Sequence, residues 1–282
     1  MIDLNVPWTG AGDTAAWAES VHRGGWAAFA SNVYYHCDKA GIREVAMQAQ
    51  AKVAESNPAA EPSKVTTTIG KHCPAGATFI RRATVVLHDG FQPNAFAKIA
   101  DNRDYDVVAA MPTTQKTFQA ACEVLNCDLI SMDYYCHFAP FKARRGWIMM
   151  ALHRGCFFEI AMSTLHHVEN GETETNKDNH MVAKAFRSNL AGVLNYIPLK
   201  RLVLSPGHTD MSNIVDPATF VGMCNELLSS ATGEPCDALD CVTAAPRGCI
   251  AKGAARRTYG TGILAHRSEE TLGKKFDVFM AT

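Results

Sequence analysis

Cations beside aromatic rings are the residues of this chain with the most evident chemistry. Phe138-Ala139-Pro140-Phe141 runs straight into Lys142-Ala143-Arg144-Arg145, and Arg256-Arg257-Thr258-Tyr259 repeats the combination near the end of the chain. In a loop, such a run can grip phosphates through its cations and stack an unpaired base on a ring. The same runs also suit a plain solvated face, since clustered charge usually means solubility and no more. Further cations stand at Arg81-Arg82, in the stretch from Lys252 to Arg257 and at Lys274-Lys275, while acids gather separately from Glu169 to Asp178.

Eleven histidines raise the question of a metal. A barrel hydrolase needs His and carboxylates converging where strands end, and the polar residues at predicted strand ends are Asn5, His88-Asp89, Asp133, Ser163 and His208 to Asp210. The chain has neither H-x-H nor H-E-x-x-H, however, and isolated histidines seldom mark a site. The nucleophile elbow, the phosphate-binding loop and the dinucleotide fingerprint are also missing. Gly10-Ala11-Gly12 lacks the third glycine that the fingerprint requires. Glu159, inside an apolar strand, reads either as a buried acid with a raised pKa or, the reading favoured here, as a partner for Arg154. The expectation is no catalytic residue, no metal and no cofactor.

Composition narrows the class. With 47% hydrophobic and 20% charged residues over 282 positions, the chain can build a large core and is not of disordered type. No apolar run reaches a membrane span, and the acidic start at Asp3 argues against a secretory leader. Ten cysteines without a C-x-x-C pair read as reduced, buried small hydrophobes, which implies the cytosol or nucleus. A net charge of -1 is low for a stand-alone RNA binder, so any RNA footprint is expected to be small and held mainly by protein partners.

The elements that must position these residues alternate. Strands are expected at Ile2–Val6, Trp26–Ala30, Ala83–His88, Tyr105–Met111, Cys127–Met132, Trp147–Leu152, Cys156–Met162 and Arg201–Ser205. Helices are expected after Asp13, over Asp38–Glu55 and Pro93–Ala100, after Thr113 or Thr114, and along Val182 to Val193. Asp216 caps and Pro217 opens the last strong helix. Eight largely apolar strands joined by helices favour a closed α/β barrel, with an open doubly wound sheet built from the same units as the alternative. Residues 1–258 read as one barrel domain with a long loop near 57–76, and 259–282 as a C-terminal extension.

An ordered set of segments resembles one family. Asp3-Leu4-Asn5-Val6-Pro7-Trp8 looks like the opening of the thirty-kilodalton protein subunit of eukaryotic ribonuclease P and ribonuclease MRP. Tyr105 to Pro112 is similar to its Y-D-V-V-A strand, followed by Thr114-Gln115-Lys116, Ala120-Ala121-Cys122 and Cys127-Asp128-Leu129-Ile130. Pro140-Phe141-Lys142, Arg154-Gly155 and Phe158-Glu159-Ile160 resemble the central block, and Arg247 with Arg256 to Gly260 the closing region. The resemblance implies a TIM-barrel-like fold, a degenerate relative of metallohydrolases of the polymerase-and-histidinol-phosphatase (PHP) type. Those enzymes open with D-x-H-x-H, and this chain has Asn5 and Pro7 at the two histidine positions, neither a useful zinc ligand.

It further implies a non-catalytic subunit of a nuclear, nucleolar ribonucleoprotein. Its RNA removes 5′ leaders from precursor tRNA or cleaves precursor rRNA, and its other proteins include a small ferredoxin-like partner. Phosphate contact or interface pairing is the implied role of Arg81, Arg82, Lys142, Arg144, Arg145, Arg154, Lys184, Arg247, Arg256 and Arg257. The chain departs from the family at Ala183-Lys184, where paired arginines are usual. The competing expectations are a PHP-like metal-dependent phosphoesterase using His88, Asp133 and His208, and a scaffold in another complex.

Overall fold

The computed structural model describes residues 1–7, 14–45, 75–132, 143–162, 176–207 and 214–260. In chain order these form β1 (Ile2–Pro7), α1 (Thr14–Arg23), β2 (Ala28–Asp38), β3 (Gly41–Val45), β4 (Thr78–Leu87), α2 (Pro93–Ala100), β5 (Val107–Pro112) and α3 (Gln115–Glu123). Then follow β6 (Leu129–Met132), α4 (Arg145–His153), β7 (Phe157–Ala161), α5 (Asn176–Leu194), β8 (Leu202–Ser205), α6 (Pro217–Thr232), α7 (Leu239–Val242) and α8 (Ala244–Tyr259).

Strands β1-β2-β4-β5-β6-β7-β8 pair in that order, all parallel, and β3 folds back antiparallel on β2. Strand β8 returns into contact with β1, so the sheet curls into a nearly closed, TIM-barrel-like α/β fold. Side chains alternate along each strand. On β4, Ala83, Val85 and Leu87 pack outward beneath the helices. Its neighbour Ile80 faces inward with Leu4, Ala30, Ala109, Leu129 and Val203. Burial on both faces explains why these strands read as near-continuous apolar runs.

Helix signals come out as the caps predict. The Thr114 hydroxyl accepts the Thr117 N–H in a capping box at α3. The Asp216 carboxylate accepts the Ala218 and Thr219 N–H groups at α6, which ends at Gly233 with φ +77°.

Three expectations are corrected. Asp38–Glu55 does not begin a helix. The Asp38 carboxylate accepts the Ala40 N–H and pairs with Arg43, Gly41 takes φ +124°, and the chain turns back as β3; residues 46–55 lie outside the described residues. Trp147–Leu152 is helical, within α4. A short apolar run carries no period of its own, and here only Ile148 and Ala151, three apart, are buried against the sheet. The last strong helix is α8, which the sequence hid because it packs through small residues instead of large apolar ones. Nearly all of the expected loop near 57–76 and of the 259–282 extension lies outside the described residues.

Helix α8 plugs the N-terminal mouth of the barrel, where Ala245, Cys249 and Ile250 join the inward-facing cluster. Its approach is close: a Cβ on Gly248 would stand 2.6 Å from the Phe157 ring, and one on Gly253 would stand 1.9 Å from the Asp106 carbonyl oxygen. Among the described residues no helix is long and apolar enough to cross a membrane.

Gly253→Ala is expected to lower the thermal midpoint by several degrees, since the clash is with backbone that cannot swing away. Gly222→Ala, in α6 with open space around its Cβ, should be neutral or stabilising by up to about 1 kcal/mol. Paired melting curves monitored by circular dichroism check both.

Candidate nucleic-acid interface

A barrel enzyme would work at the C-terminal ends of its strands, so the lumen comes first. Above the apolar floor, Arg82 on β4 reaches across to Glu159 on β7. Its Nη1 and Nη2 donate to the two carboxylate oxygens at 2.5 and 2.6 Å, and both side chains are 0% exposed. Nη1 also donates to the Leu4 carbonyl at 2.8 Å and Nε to the Thr84 hydroxyl at 3.0 Å. Ser205 on β8 donates to Glu159 at 2.9 Å. The Thr84 hydroxyl donates to the Asn32 side-chain oxygen at 2.8 Å, and the Asn32 side-chain amide donates to the Asn5 side-chain oxygen at 2.8 Å.

Burial works against the charge on Arg82, but the Glu159 carboxylate outweighs it and holds the guanidinium pKa above its ordinary value. A buried pair repays its desolvation only with such bidentate, fully bonded geometry.

The expected partner of Glu159, Arg154, is elsewhere. Arg154 ends α4 and lies outside the barrel, donating to the Ala121 and Cys122 carbonyls at 3.2 and 2.8 Å and to the Leu125 carbonyl. It caps α3. The signal for the true pair was parity: Arg82 and Glu159 each sit on the inward face of their strand, whereas Arg154 is merely near in sequence.

Asn5, at the first of the two altered ligand positions, is drawn into the same network. The register of β1 shifts between Asp3 and Val6, so Leu4 and Asn5 both reach the interior. The Asn5 side-chain oxygen accepts from Asn32 and from the Tyr34 hydroxyl, at 3.2 Å, which occupies both of its lone pairs. Among the described residues no three His, Cys, Asp or Glu side chains come together as metal ligands would. His88 follows β4 and lies against His36, with facing ring nitrogens 2.9 Å apart, and burial followed by the charges of His88 and Arg43 lowers the His36 pKa. Asp133, Ser163 and His208 to Asp210 lie outside the described residues.

The basic residues fall into distinct sets. Arg82 belongs to the lumen and presents no surface to a phosphate. Arg256 is 5% exposed, and its Nε donates to Asp128 at 2.9 Å, with further bonds to the Ala100 and Tyr105 carbonyls. Arg257 pairs with Asp106, which also accepts the Arg81 N–H at 2.9 Å and its Nε at 3.4 Å. The Arg256-Arg257 run therefore clamps α8 onto the residues that lead into β5 and β6, and it does not sit in a loop. Asp106 and Asp128 each immediately precede or open into a buried strand, a repeat in the sequence that could have announced the clamp.

Arg144, Arg145, Lys184 and Arg247 are exposed, and none pairs with a carboxylate among the described residues. Arg144 lies over the Trp147 ring, 4.9 Å from its centroid, at the start of α4, whose first turn carries no acid. Trp147 is thus the aromatic beside this cluster, hidden by its assignment to a strand. Lys142 and the phenylalanines before it lie outside the described residues.

A TIM-barrel-like scaffold with its lumen closed by its own ion pair, displaying cations outside, is the class that fold and geometry define. Residues 1–258 match the family model described as RNase P subunit p30, and the chain belongs to that family. Protein GAMETOPHYTE DEFECTIVE 1 of Arabidopsis thaliana is 25% identical over 121 residues, which are 43% of this chain and 19% of that protein, so the match spans less than a fifth of the relative's length. Among solved structures, a chain of an archaeal ribonuclease P with mature tRNA superposes with a TM-score of 0.59 at 13% identity, covering 95% of this chain and all of that one. Ochratoxinase of A. niger has a TM-score of 0.52 at 12% identity, covering 88% of this chain and 70% of its own. These two share the fold.

Removing one partner of the lumen pair should cost about 3–5 kcal/mol, whereas replacing both with apolar residues should cost far less. Urea unfolding of Arg82→Met, Glu159→Leu and the double variant is the check, and equal additive losses would contradict the pairing.

Proposed function

We propose that this chain is a non-catalytic protein subunit of a ribonuclease P or ribonuclease MRP particle, whose RNA carries out precursor-tRNA 5′ leader removal, precursor-rRNA cleavage, or both. The observation that carries the reading is the family match over residues 1–258 on a barrel whose lumen is occupied by Arg82, Glu159 and their partners. The likeness to a chain from an archaeal ribonuclease P with mature tRNA supports it. The partners in this reading are the particle's RNA, a small ferredoxin-like protein subunit and further proteins of the same particle, and the location is the nucleus, with the nucleolus as its centre.

Arg144, Arg145, Lys184 and Arg247 are the phosphate-facing cations in this reading. Exposed guanidinium and ammonium groups without a carboxylate partner neutralise phosphates and release counterions. Arg144 held over Trp147 offers a stacking surface beside that charge. With a net charge of -1, protein contacts hold the subunit in place and these few cations orient it on the RNA.

Affinity purification of the tagged chain, with RNA sequencing and mass spectrometry of what accompanies it, is the test. A structured RNA and small basic proteins are expected, and recovery of neither would count against the proposal. In the reconstituted particle, Arg144→Glu with Arg145→Glu should flatten the salt dependence of RNA affinity by about 1.5 units of log-log slope. An unchanged slope would free these two residues from the role.

A further inference from the structure

Neither the lumen network nor the exposed cations use the thiols at the start of β6 and β7. Cys127 stands two residues before Leu129, which opens β6, and Cys156 one residue before Phe157, which opens β7. Leu129 is opposite Phe157 in the parallel register, so Cys156 is one residue out of step with Cys127. For strands ~4.8 Å apart with a rise of ~3.3 Å, that offset puts the two Cα atoms about 6 Å apart. A disulfide spans roughly 4.4–6.8 Å between Cα atoms.

The side chains converge as the backbone suggests. Both thiols lie in the same apolar layer beneath the helices. The Cys156 sulfur is also 3.4 Å from the Cys127 carbonyl oxygen. Lys252, on the partly exposed flank of α8, donates from Nζ to the Cys156 sulfur at 3.4 Å while bonding the Arg154 carbonyl at 2.9 Å.

The Cys127 thiol donates to Cys156, and Lys252 and Arg154 add positive charge, so the Cys156 pKa falls to about 6 despite its burial. Hydrogen bonding to Cys156 and then burial push Cys127 up. Burial raises Cys122, Cys224, Cys241 and Cys249 likewise. Only a thiolate attacks an oxidant well, so this pair combines one sulfur ready to react with one that still carries its proton.

We propose that Cys127 and Cys156 form an oxidisable dithiol, converted by a peroxide into a disulfide that ties the start of β6 to the start of β7 under α8. The Cys156 thiolate attacks one peroxide oxygen. The O–O bond breaks, the departing hydroxide takes up a proton to leave as water, and Cys156 becomes a sulfenic acid. The Cys127 sulfur then displaces the hydroxyl: the S–S bond forms, the S–O bond breaks, and a second water carries away the Cys127 proton. Two thiols and one peroxide give one disulfide and two waters. Because both sulfurs are buried, the reaction proceeds through local opening beside Lys252 and is slower than at an exposed thiolate.

The full-length reduced chain is treated with hydrogen peroxide at pH 7, denatured, alkylated with N-ethylmaleimide and digested with trypsin. The expected product joins the peptide covering 117–142 to that covering 155–177, with fragmentation placing the bond at Cys127 and not at Cys122 or Cys136. Lys252→Met should slow its appearance about fivefold, by lowering the thiolate fraction. Full alkylation of Cys127 and Cys156 under conditions that oxidise the half-exposed Cys236, or linkage at the same rate in Lys252→Met, would overturn the proposal.

Discussion

The ion pair between Arg82 and Glu159 sets the terms for the rest of the molecule. Two charges buried at 0% exposure survive only if every donor and lone pair near them is engaged. That requirement recruits Leu4 and Asn5 from β1, Asn32 from β2, Thr84 from β4 and Ser205 from β8. Strands far apart in the chain are thereby cross-braced through the lumen, which is where a barrel enzyme would keep space for substrate. With the network above and α8 stopping the opposite mouth, the interior of the barrel is filled by its own side chains.

The same electrostatic logic sorts the remaining cations. Asp106 and Asp128 lead into β5 and β6 and hold Arg257 and Arg256 respectively, so the basic run near the end of α8 is an internal fastening. Gly253 allows the helix to lie close enough for those bonds to form. Among the described residues, Arg144, Arg145, Lys184 and Arg247 meet no such acid and are exposed. Arg82, Arg256 and Arg257 are answered by acids inside the fold, so a net charge of -1 still leaves exposed cations on the surface.

The barrel was legible in the sequence because its parallel strands are buried on both faces and its helices carry strong caps at Thr114 and Asp216. What the sequence obscured follows from physics that periodicity does not register. Trp147 to Leu152 is apolar without a readable period, so its helix, and with it the Arg144–Trp147 contact, went unassigned. Asp38 to Gly41 is a turn set by one side-chain bond and one positive φ, which reverses the chain where a helix was expected. Helix α8 is written in Ala, Gly and Cys, whose role emerges only from the surface they approach. The basic clusters were legible as runs but not separable, since a run of arginines looks the same whether a buried aspartate or water receives it.

Differential arginine modification tests that separation most directly. Phenylglyoxal labelling of the folded chain, alone and within its reconstituted particle, followed by peptide mapping, reads each guanidinium in turn. The account predicts that Arg144, Arg145 and Arg247 react in the free chain, that Arg144 and Arg145 are shielded in the particle, and that Arg82 and Arg256 stay unmodified in both. Labelling of Arg82 in the folded chain, or equal labelling of Arg144 and Arg145 with and without the RNA, would contradict it.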